Sequence, residues 1–303
     1  MSPLHSMIVR KKYKLMVGGR TIVLGERTLV MGVLNVTPDS FSDGGKFFRS
    51  ADAVKAALAM ERAGADILDI GAESTRPGSA GISGEEELER LLPVLQGLRG
   101  RLKIPISIDT QKARVAELAI GAGAEMLNDI SGLKHDPKIA EVAAQSGVPL
   151  ILMHMRGTPR TMQRQPWARD VVKDVSRGLR ESAAIARRAG VRASQIILDP
   201  GIGFGKSFAQ NYELLARLPA LAKLGYPLLV GTSRKGFLGA TLARIGKPLP
   251  SEQRIWGTAA TVAASILQGA HIVRVHDVEE MAQVARVTDA VLHPELRPKN
   301  TLG

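Results

Sequence analysis

Ionisable and amide side chains recur at one kind of place in this chain, directly after short apolar runs. Asn35 follows Leu29 to Leu34, Asp69 follows Ile67-Leu68, and Asp109 ends the run from Ile104. Asn128 follows Met126-Leu127, His154 closes Leu150 to Met153, and Asp199 closes Ile196 to Leu198. Ser233-Arg234-Lys235 stands just beyond Leu228-Leu229-Val230, and Arg274 and His276 belong to the run from Ile272. The set divides by charge. Asp109, Asn128 and Asp199 offer carboxylate and amide acceptors, and a buried carboxylate is costly unless a partner or a donor-rich ligand meets it. A flat heterocycle with an amino-imino edge, such as a guanine or a pterin, presents two parallel N–H donors that one carboxylate can accept. Lys235 can reach a ring carbonyl or nitrogen, and the forked donors of Arg274 match phosphate oxygens. A lone Asp109 or Asp199 also reads as a helix N-cap. A polar group after nearly every apolar run points instead to a site.

The elements that position these residues follow a repeated phrase: a helix-like stretch, a glycine, then the apolar run. The glycines are Gly64, Gly123, Gly147, Gly190, Gly225 and Gly269. Glycine after a helix supplies the left-handed residue that caps its last carbonyls, and apolar runs without alternation suit parallel strands covered on both faces. With Leu29 to Leu34 and Ile104 to Asp109 the runs number eight. Ser83 and Glu86 form a capping box ahead of Leu88, Leu91, Leu92 and Leu95, with a kink expected at Pro93. Val171, Val172, Val175 and Leu179 mark a long helix before Gly190. Eight strands alternating with helices predict an α/β fold of the (β/α)8 TIM-barrel type, whose active site lies at the C-terminal strand ends. Ile8 to Val23, with Gly18-Gly19 between two β-like runs, predicts a hairpin that closes the barrel's bottom. The expected organisation is an N-terminal extension with the hairpin over 1–28, the barrel over 29–295, and a C-terminal tail over 296–303. Three loops, Thr37 to Gly45, Glu73 to Gly78 and Asp199 to Ser207, are polar and rich in Gly or Pro. Long loops on a rigid frame serve as lids or binding loops.

Composition removes several alternatives. The 303 residues contain no cysteine, which excludes a disulfide framework, thiolate zinc and a cysteine nucleophile. No apolar run approaches the ~20 residues of a membrane span, and the basic N-terminus lacks the apolar core of a secretory signal. These features predict a soluble cytoplasmic protein with no membrane partner. The balance of 41 Lys and Arg against 29 Asp and Glu gives a formal charge of +12, but the excess is scattered. Its densest run, Arg10 to Lys14, has no aromatic interleaving, so no nucleic-acid partner is expected. Gly201 to Ser207 is one residue short of a Walker A loop, and Lys206 replaces the third glycine of a dinucleotide fingerprint. The histidines lack the H-E-x-x-H spacing of a catalytic zinc. A hard cation bridging Asn35 to substrate phosphates is more compatible, since Mg²⁺ keeps most of its waters and needs few protein ligands.

Taken in order, the segments Met31 to Gly45, Glu73-Ser74-Thr75-Arg76-Pro77-Gly78, Ser107-Ile108-Asp109-Thr110 and Asn128-Asp129-Ile130-Ser131-Gly132 carry a resemblance. So do His154-Met155-Arg156-Gly157, Asp199 to Lys206, Ser233-Arg234-Lys235 and Arg274-Val275-His276. Nearly end to end, the chain resembles the dihydropteroate synthases, folate-pathway enzymes of the pterin-binding barrel family. The resemblance implies a transferase that condenses 6-hydroxymethyl-7,8-dihydropterin diphosphate with 4-aminobenzoate, giving 7,8-dihydropteroate and diphosphate. It implies that Asp109, Asn128, Asp199 and Lys235 hold the pterin, that Asn35 binds Mg²⁺, and that Arg274 and His276 take the diphosphate. Thr75, Arg76, Pro77, Phe204 and Ser233 shape the aminobenzoate site on the same reading. It further implies a homodimer and a target of sulfonamides, which mimic aminobenzoate. Two positions depart from the family pattern: Ala72 replaces a glycine, and Gly236 stands where larger residues are frequent. A corrinoid-linked methyltransferase would need neither Thr75-Arg76-Pro77 nor Arg274-Val275-His276. A binding-only relative would keep every one of these residues.

Overall fold

Each apolar run becomes a strand because its residues are covered on both faces. In the computed structural model the described residues are 10–37, 46–74, 78–79, 81–162, 168–243 and 246–294, with 46–49 described as backbone alone. A hairpin comes first, β1 (Tyr13–Val17) and β2 (Arg20–Leu24), paired antiparallel. Its turn residues Gly18 and Gly19 both have positive φ, 53° and 75°, the requirement of a tight two-residue hairpin. A Cβ on Gly18 would lie 1.5 Å from Glu125 Oε1, the far end of a flexible side chain that can swing aside, so it is the positive φ that calls for glycine.

The barrel strands are β3 (Leu29–Asn35), β4 (Ile67–Gly71), β5 (Ile106–Asp109) and β6 (Met126–Asp129). They continue as β7 (Leu150–Met153), β8 (Ile196–Asp199), β9 (Leu229–Val230) and β10 (Ile272–Val275). All eight pair in parallel, in the order β8-β7-β6-β5-β4-β3-β10-β9. The ring closes through a bridge between Leu198 and Leu228, with Leu198 N–H donating to Pro227 O at 3.0 Å. The predicted (β/α)8 barrel is therefore the fold. Strand ends differ from expectation by a residue or two. β5 starts at Ile106 rather than Ile104, because Pro105 has no N–H to donate and contributes only its carbonyl, to Leu68 N. β7 stops before His154 and β10 before His276. The hairpin occupies Tyr13 to Leu24, while residues 1–9 lie outside the described ones.

Side chains pointing into the barrel form its inner core: Leu29, Met31, Ile67, Met126, Ile151, Ile197, Leu229 and Ile272. Leu15, Val17 and Leu24 of the hairpin join that cluster, so the hairpin seals the N-terminal end as expected. The six glycines that precede strands all have φ between 70° and 110°, consistent with left-handed caps. Helix α1 (Lys46–Arg62) follows β3 and α2 (Gly84–Leu98) follows β4. At α2 only half of the capping box forms. Ser83 accepts from Glu86 N, while the Glu86 carboxylate pairs with Arg90. The helix continues through Pro93. Helices α3 (Ala113–Gly121), α4 (Ile139–Ser146) and α5 (Val171–Arg188) follow in turn, α5 capped by Asp170. The next two units carry two helices each, α6 (Phe208–Ala216) with α7 (Leu218–Ala222), then α8 (Gly236–Thr241) with α9 (Ile255–Leu267). The last is α10 (Val278–Leu292).

Candidate active site

Register places the polar residues. Asp109 ends β5 and pairs in register with Asn128 of β6, and Asp199 ends β8 opposite Met153 of β7. Arg274 lies on β10, and the chain beyond β9 and β10 brings in Ser233, Lys235 and His276. At the C-terminal mouth these residues line one cavity. Its polar wall is Asp109, Asn128, Asp199, Ser233, Lys235, Arg274 and His276, and its apolar wall is Ile130, Met153, Ile202 and Phe204.

Beneath the cavity, Asp69 is fully buried and orders two of these groups. Its Oδ2 accepts from Arg274 Nε at 2.7 Å and from Asn128 Nδ2 at 3.0 Å. The second bond fixes the Asn128 amide with its carbonyl turned away from Asp69. Arg274 also donates through Nη2 to Asp109 Oδ2 at 2.8 Å. Asp199 Oδ1 accepts from Gly201 N at 2.7 Å. Asp109, Asn128 and Asp199 therefore each retain one oxygen with no protein partner among the described residues, all on the same cavity. Lys235 Nζ lies 4.0 Å from the centre of the Phe204 ring, a contact that favours the charged ammonium.

Burial dominates the titration of this mouth. It pushes Asp199 up to about 6 against Gly201 N–H, Lys235, Arg274 and Lys206, which hold it down. Asp109 is raised as well, burial outweighing the Arg274 guanidinium beside it. Burial and Arg274 lower Lys235 to about 8, with Asp199 and Asp109 opposing. His276 is pushed down to about 3 by burial and the neighbouring cations, so its imidazole is neutral at pH 7. Ser233 Oγ accepts from His276 N–H at 3.1 Å and lies 3.0 Å from His276 Nδ1. With the hydroxyl donating to Nδ1, the ring proton lies on Nε2.

Three expected positions take other roles. His154 turns away from the mouth, packed against Gly178 of α5, with Nδ1 3.1 Å from Lys206 Nζ. Asp69 supports the cavity from below instead of lining it. Arg234, at φ 58°, pairs with Asp277 through Nε at 3.1 Å and through Nη2. Asn35 stands half-buried at the end of β3, outside the residues that line the cavity. Thr75, Arg76 and Pro77, and Pro38 to Gly45 of the first loop, lie outside the described residues. Ala72 is buried without a positive φ, so it fits where the family pattern has glycine, and a Cβ on Gly236 would meet only open space. The apolar walls Ile130, Met153 and Ile202 went unassigned in the sequence, although each directly follows or ends a strand or opens the glycine-rich loop.

Among the described residues no cluster of three His, Asp or Glu side chains could hold a metal by itself. A cation at Asn35 would need oxygens from the substrate, which fits Mg²⁺ with one amide ligand, phosphate oxygens and its own waters.

Comparison with known proteins agrees with this geometry. The family model described as pterin binding enzyme matches residues 31–276. The dihydropteroate synthase of Synechocystis sp. is 53% identical over 267 residues, covering 88% of this chain and 91% of that one. The Xanthomonas albilineans dihydropteroate synthase with 4-aminobenzoic acid superposes with a TM-score of 0.86 at 41% identity, covering 95% of this chain and 100% of that one. The same enzyme in complex with 7,8-dihydropteroate gives 0.82 at 40% identity, covering 94% and 100%. With this cavity and this similarity along nearly all of its length, the chain belongs to the pterin-binding enzyme family, among the dihydropteroate synthases.

Proposed function

We propose that the protein condenses 6-hydroxymethyl-7,8-dihydropterin diphosphate with 4-aminobenzoate, releasing 7,8-dihydropteroate and diphosphate. The observation that carries this reading is the trio of unpartnered oxygens on Asp109, Asn128 and Asp199 facing one cavity beside the Lys235 ammonium. An aminopyrimidinone edge supplies N–H donors to those oxygens and a carbonyl or ring nitrogen to Lys235. In the reaction the bond between the pterin methylene and the diphosphate oxygen breaks, and its electron pair leaves with diphosphate. The arylamine nitrogen forms the new C–N bond and sheds a proton. An arylamine is neutral at pH 7, so positioning and charge stabilisation dominate over general-base catalysis.

Arg274 keeps its remaining terminal nitrogen without a protein partner among the described residues, and that group with His276 Nε2–H faces the leaving group. The same carboxylates that hold the ring stabilise positive charge developing on the methylene. Phe204 and Ser233 form the aminobenzoate side, where sulfonamides compete, and the resemblance assigns Thr75, Arg76 and Pro77 to the same substrate. Asn35 would hold Mg²⁺ beside the diphosphate, and the cation would supply charge neutralisation for the leaving group.

The protein works in the cytoplasm as a homodimer. Leu267, Val287 and Val291 support the dimer: they are exposed large apolar side chains toward the ends of α9 and α10, which pack side by side. Sedimentation of the purified chain as a monomer at micromolar concentration refutes that part. For the reaction, the purified protein is mixed with both substrates and Mg²⁺, and diphosphate release is measured. Release that depends on 4-aminobenzoate and stops with EDTA is expected. Pterin binding without release would make the protein a binding-only relative.

A further inference from the structure

Lys206 closes the glycine-rich loop yet does not line the cavity. A Walker-type lysine reaches outward to phosphate; this one points inward and is 3% exposed. Its ammonium donates to three backbone carbonyls, His154 O at 3.0 Å, Gly201 O at 2.9 Å and Phe204 O at 2.9 Å, with His154 Nδ1 at 3.1 Å. Two of those carbonyls belong to residues of the cavity wall. Gly201 carries its pinned carbonyl on one side and donates its N–H to Asp199 Oδ1 on the other. Phe204 has its carbonyl pinned while its ring lies against Lys235 Nζ. The loop is pressed so closely onto the chain after β7 that a Cβ on Gly201, at φ 66°, would sit 2.0 Å from His154 O. Asn211 also spans the loop, accepting from Gly203 N at 2.6 Å and donating to Ser207 O at 2.8 Å, but among the described residues only Lys206 bonds the carbonyls of both Gly201 and Phe204. Buried ammonium groups are costly unless hydrogen-bonded, and here every ammonium N–H has a carbonyl.

We propose that Lys206 is a positioning residue for the heterocycle: its caged ammonium fixes the turn that orients Asp199 and seats Phe204 beneath Lys235. The proposal rests on the pterin reading of the cavity. It assigns the lysine no contact with substrate and no part in holding diphosphate, because Arg274 and His276 are anchored separately by Asp69, Asp109 and Ser233.

The test is calorimetric titration of the full chain with phosphate-free 6-hydroxymethylpterin, beside inhibition by inorganic diphosphate. Lys206→Ala is expected to weaken pterin binding about tenfold or more, the scale of losing hydrogen bonds made by a charged group. The inhibition constant for diphosphate is expected to stay within about twofold, whereas general loosening of the fold shifts both. Ethylammonium, which can re-enter the carbonyl cage, is expected to restore pterin affinity in the alanine variant, and sodium at equal ionic strength is not. Should the alanine variant fail to fold, Lys206→Gln keeps two N–H donors and is expected to show the same selective loss in smaller degree. Unchanged pterin affinity, or equal losses for pterin and diphosphate, overturns the inference. Wild-type protein that gives no pterin heat refutes the functional reading and this inference together, whereas wild-type binding with an unaffected variant refutes the inference alone.

Discussion

Asp199→Asn separates the binding role of the mouth carboxylates from their effect on stability. Asp199 gives one oxygen to Gly201 N–H at 2.7 Å and leaves the other on the cavity. Asparagine has the same shape but one acceptor fewer. If its oxygen keeps Gly201, its –NH₂ confronts the N–H of the heterocycle; if it flips, the buried Gly201 N–H is stranded. Losing a hydrogen bond to a charged group costs about 1.5–3 kcal/mol, and a stranded donor adds about 1–3. The total, about 2.5–6 kcal/mol, is a loss of roughly 10²- to 10⁴-fold in pterin affinity. Stability moves the other way. Burial raises Asp199 from 3.8 to about 6 in the folded chain, so the folded state binds the proton more tightly than the unfolded one. That contribution to stability is fully present below the unfolded value and is lost as pH rises through the folded one. At neutral pH the ionised carboxylate therefore costs the fold up to about 3 kcal/mol. Denaturation is expected to show Asp199→Asn more stable than wild type at neutral pH, with the gain vanishing at about pH 4. Titration calorimetry is expected to show pterin binding lost. Pterin affinity within about tenfold of wild type refutes the reasoning.

Arg274→Ala leaves Asp69 and Asp109 without their shared cation. It is expected to destabilise the fold by about 3–5 kcal/mol in denaturant titration, and to weaken the diphosphate ester more than the phosphate-free pterin. For the free enzyme, kcat/KM is expected to rise with pH through about 6 to 7 as Asp199 and then Asp109 ionise, and to fall through about 8 as Lys235 loses its proton. Lys235→Arg, whose guanidinium does not titrate, is expected to abolish the alkaline limb, and a limb that persists assigns it to another group. Leu24→Ala removes a fully buried hairpin side chain at the opposite end of the barrel. It is expected to cost about 2–5 kcal/mol of stability with pterin affinity unchanged by calorimetry.

The barrel was legible in the sequence because parallel strands buried on both faces leave unbroken apolar runs, and a positive-φ glycine punctuates the helix before many of them. The cavity residues were legible for a related reason. The C-terminal end of each run is where the barrel opens, so a polar residue there either caps a helix or faces the mouth. What the sequence could not separate was which way a strand-end residue points. His154 and Asp199 close similar runs, yet Asp199 pairs in register with Met153, so His154 stands one residue further on and strand alternation turns it outward onto Gly178 while Met153 and Asp199 face the cavity. Register between β7 and β8, strands distant in sequence, makes that choice, and packing against α5 and the Lys206 ammonium hold it. Asp69 was legible as a polar strand residue, but its place below the mouth depends on Arg274 reaching down from β10, a pairing across 205 residues.

Arg274 shows how one side chain serves two chemistries. Sequence spacing suggests phosphate, while the structure gives two of its nitrogens to Asp69 and Asp109. Guanidinium carries donors on three nitrogens in a fixed plane, so engaging two on one edge leaves the third oriented and not free to rotate. The carboxylates that hold it also bring negative charge close to where the proposed diphosphate lies. Two guanidinium nitrogens are thus engaged by Asp69 and Asp109, and His276 adds no charge while neutral. One guanidinium nitrogen and a neutral imidazole leave most of the charge of a diphosphate unmatched. The tail therefore needs a further cation on its own side. Asn35→Ala is accordingly expected to raise the magnesium concentration needed for half-maximal diphosphate release while leaving phosphate-free pterin affinity unchanged. A magnesium dependence identical to wild type would place the cation elsewhere.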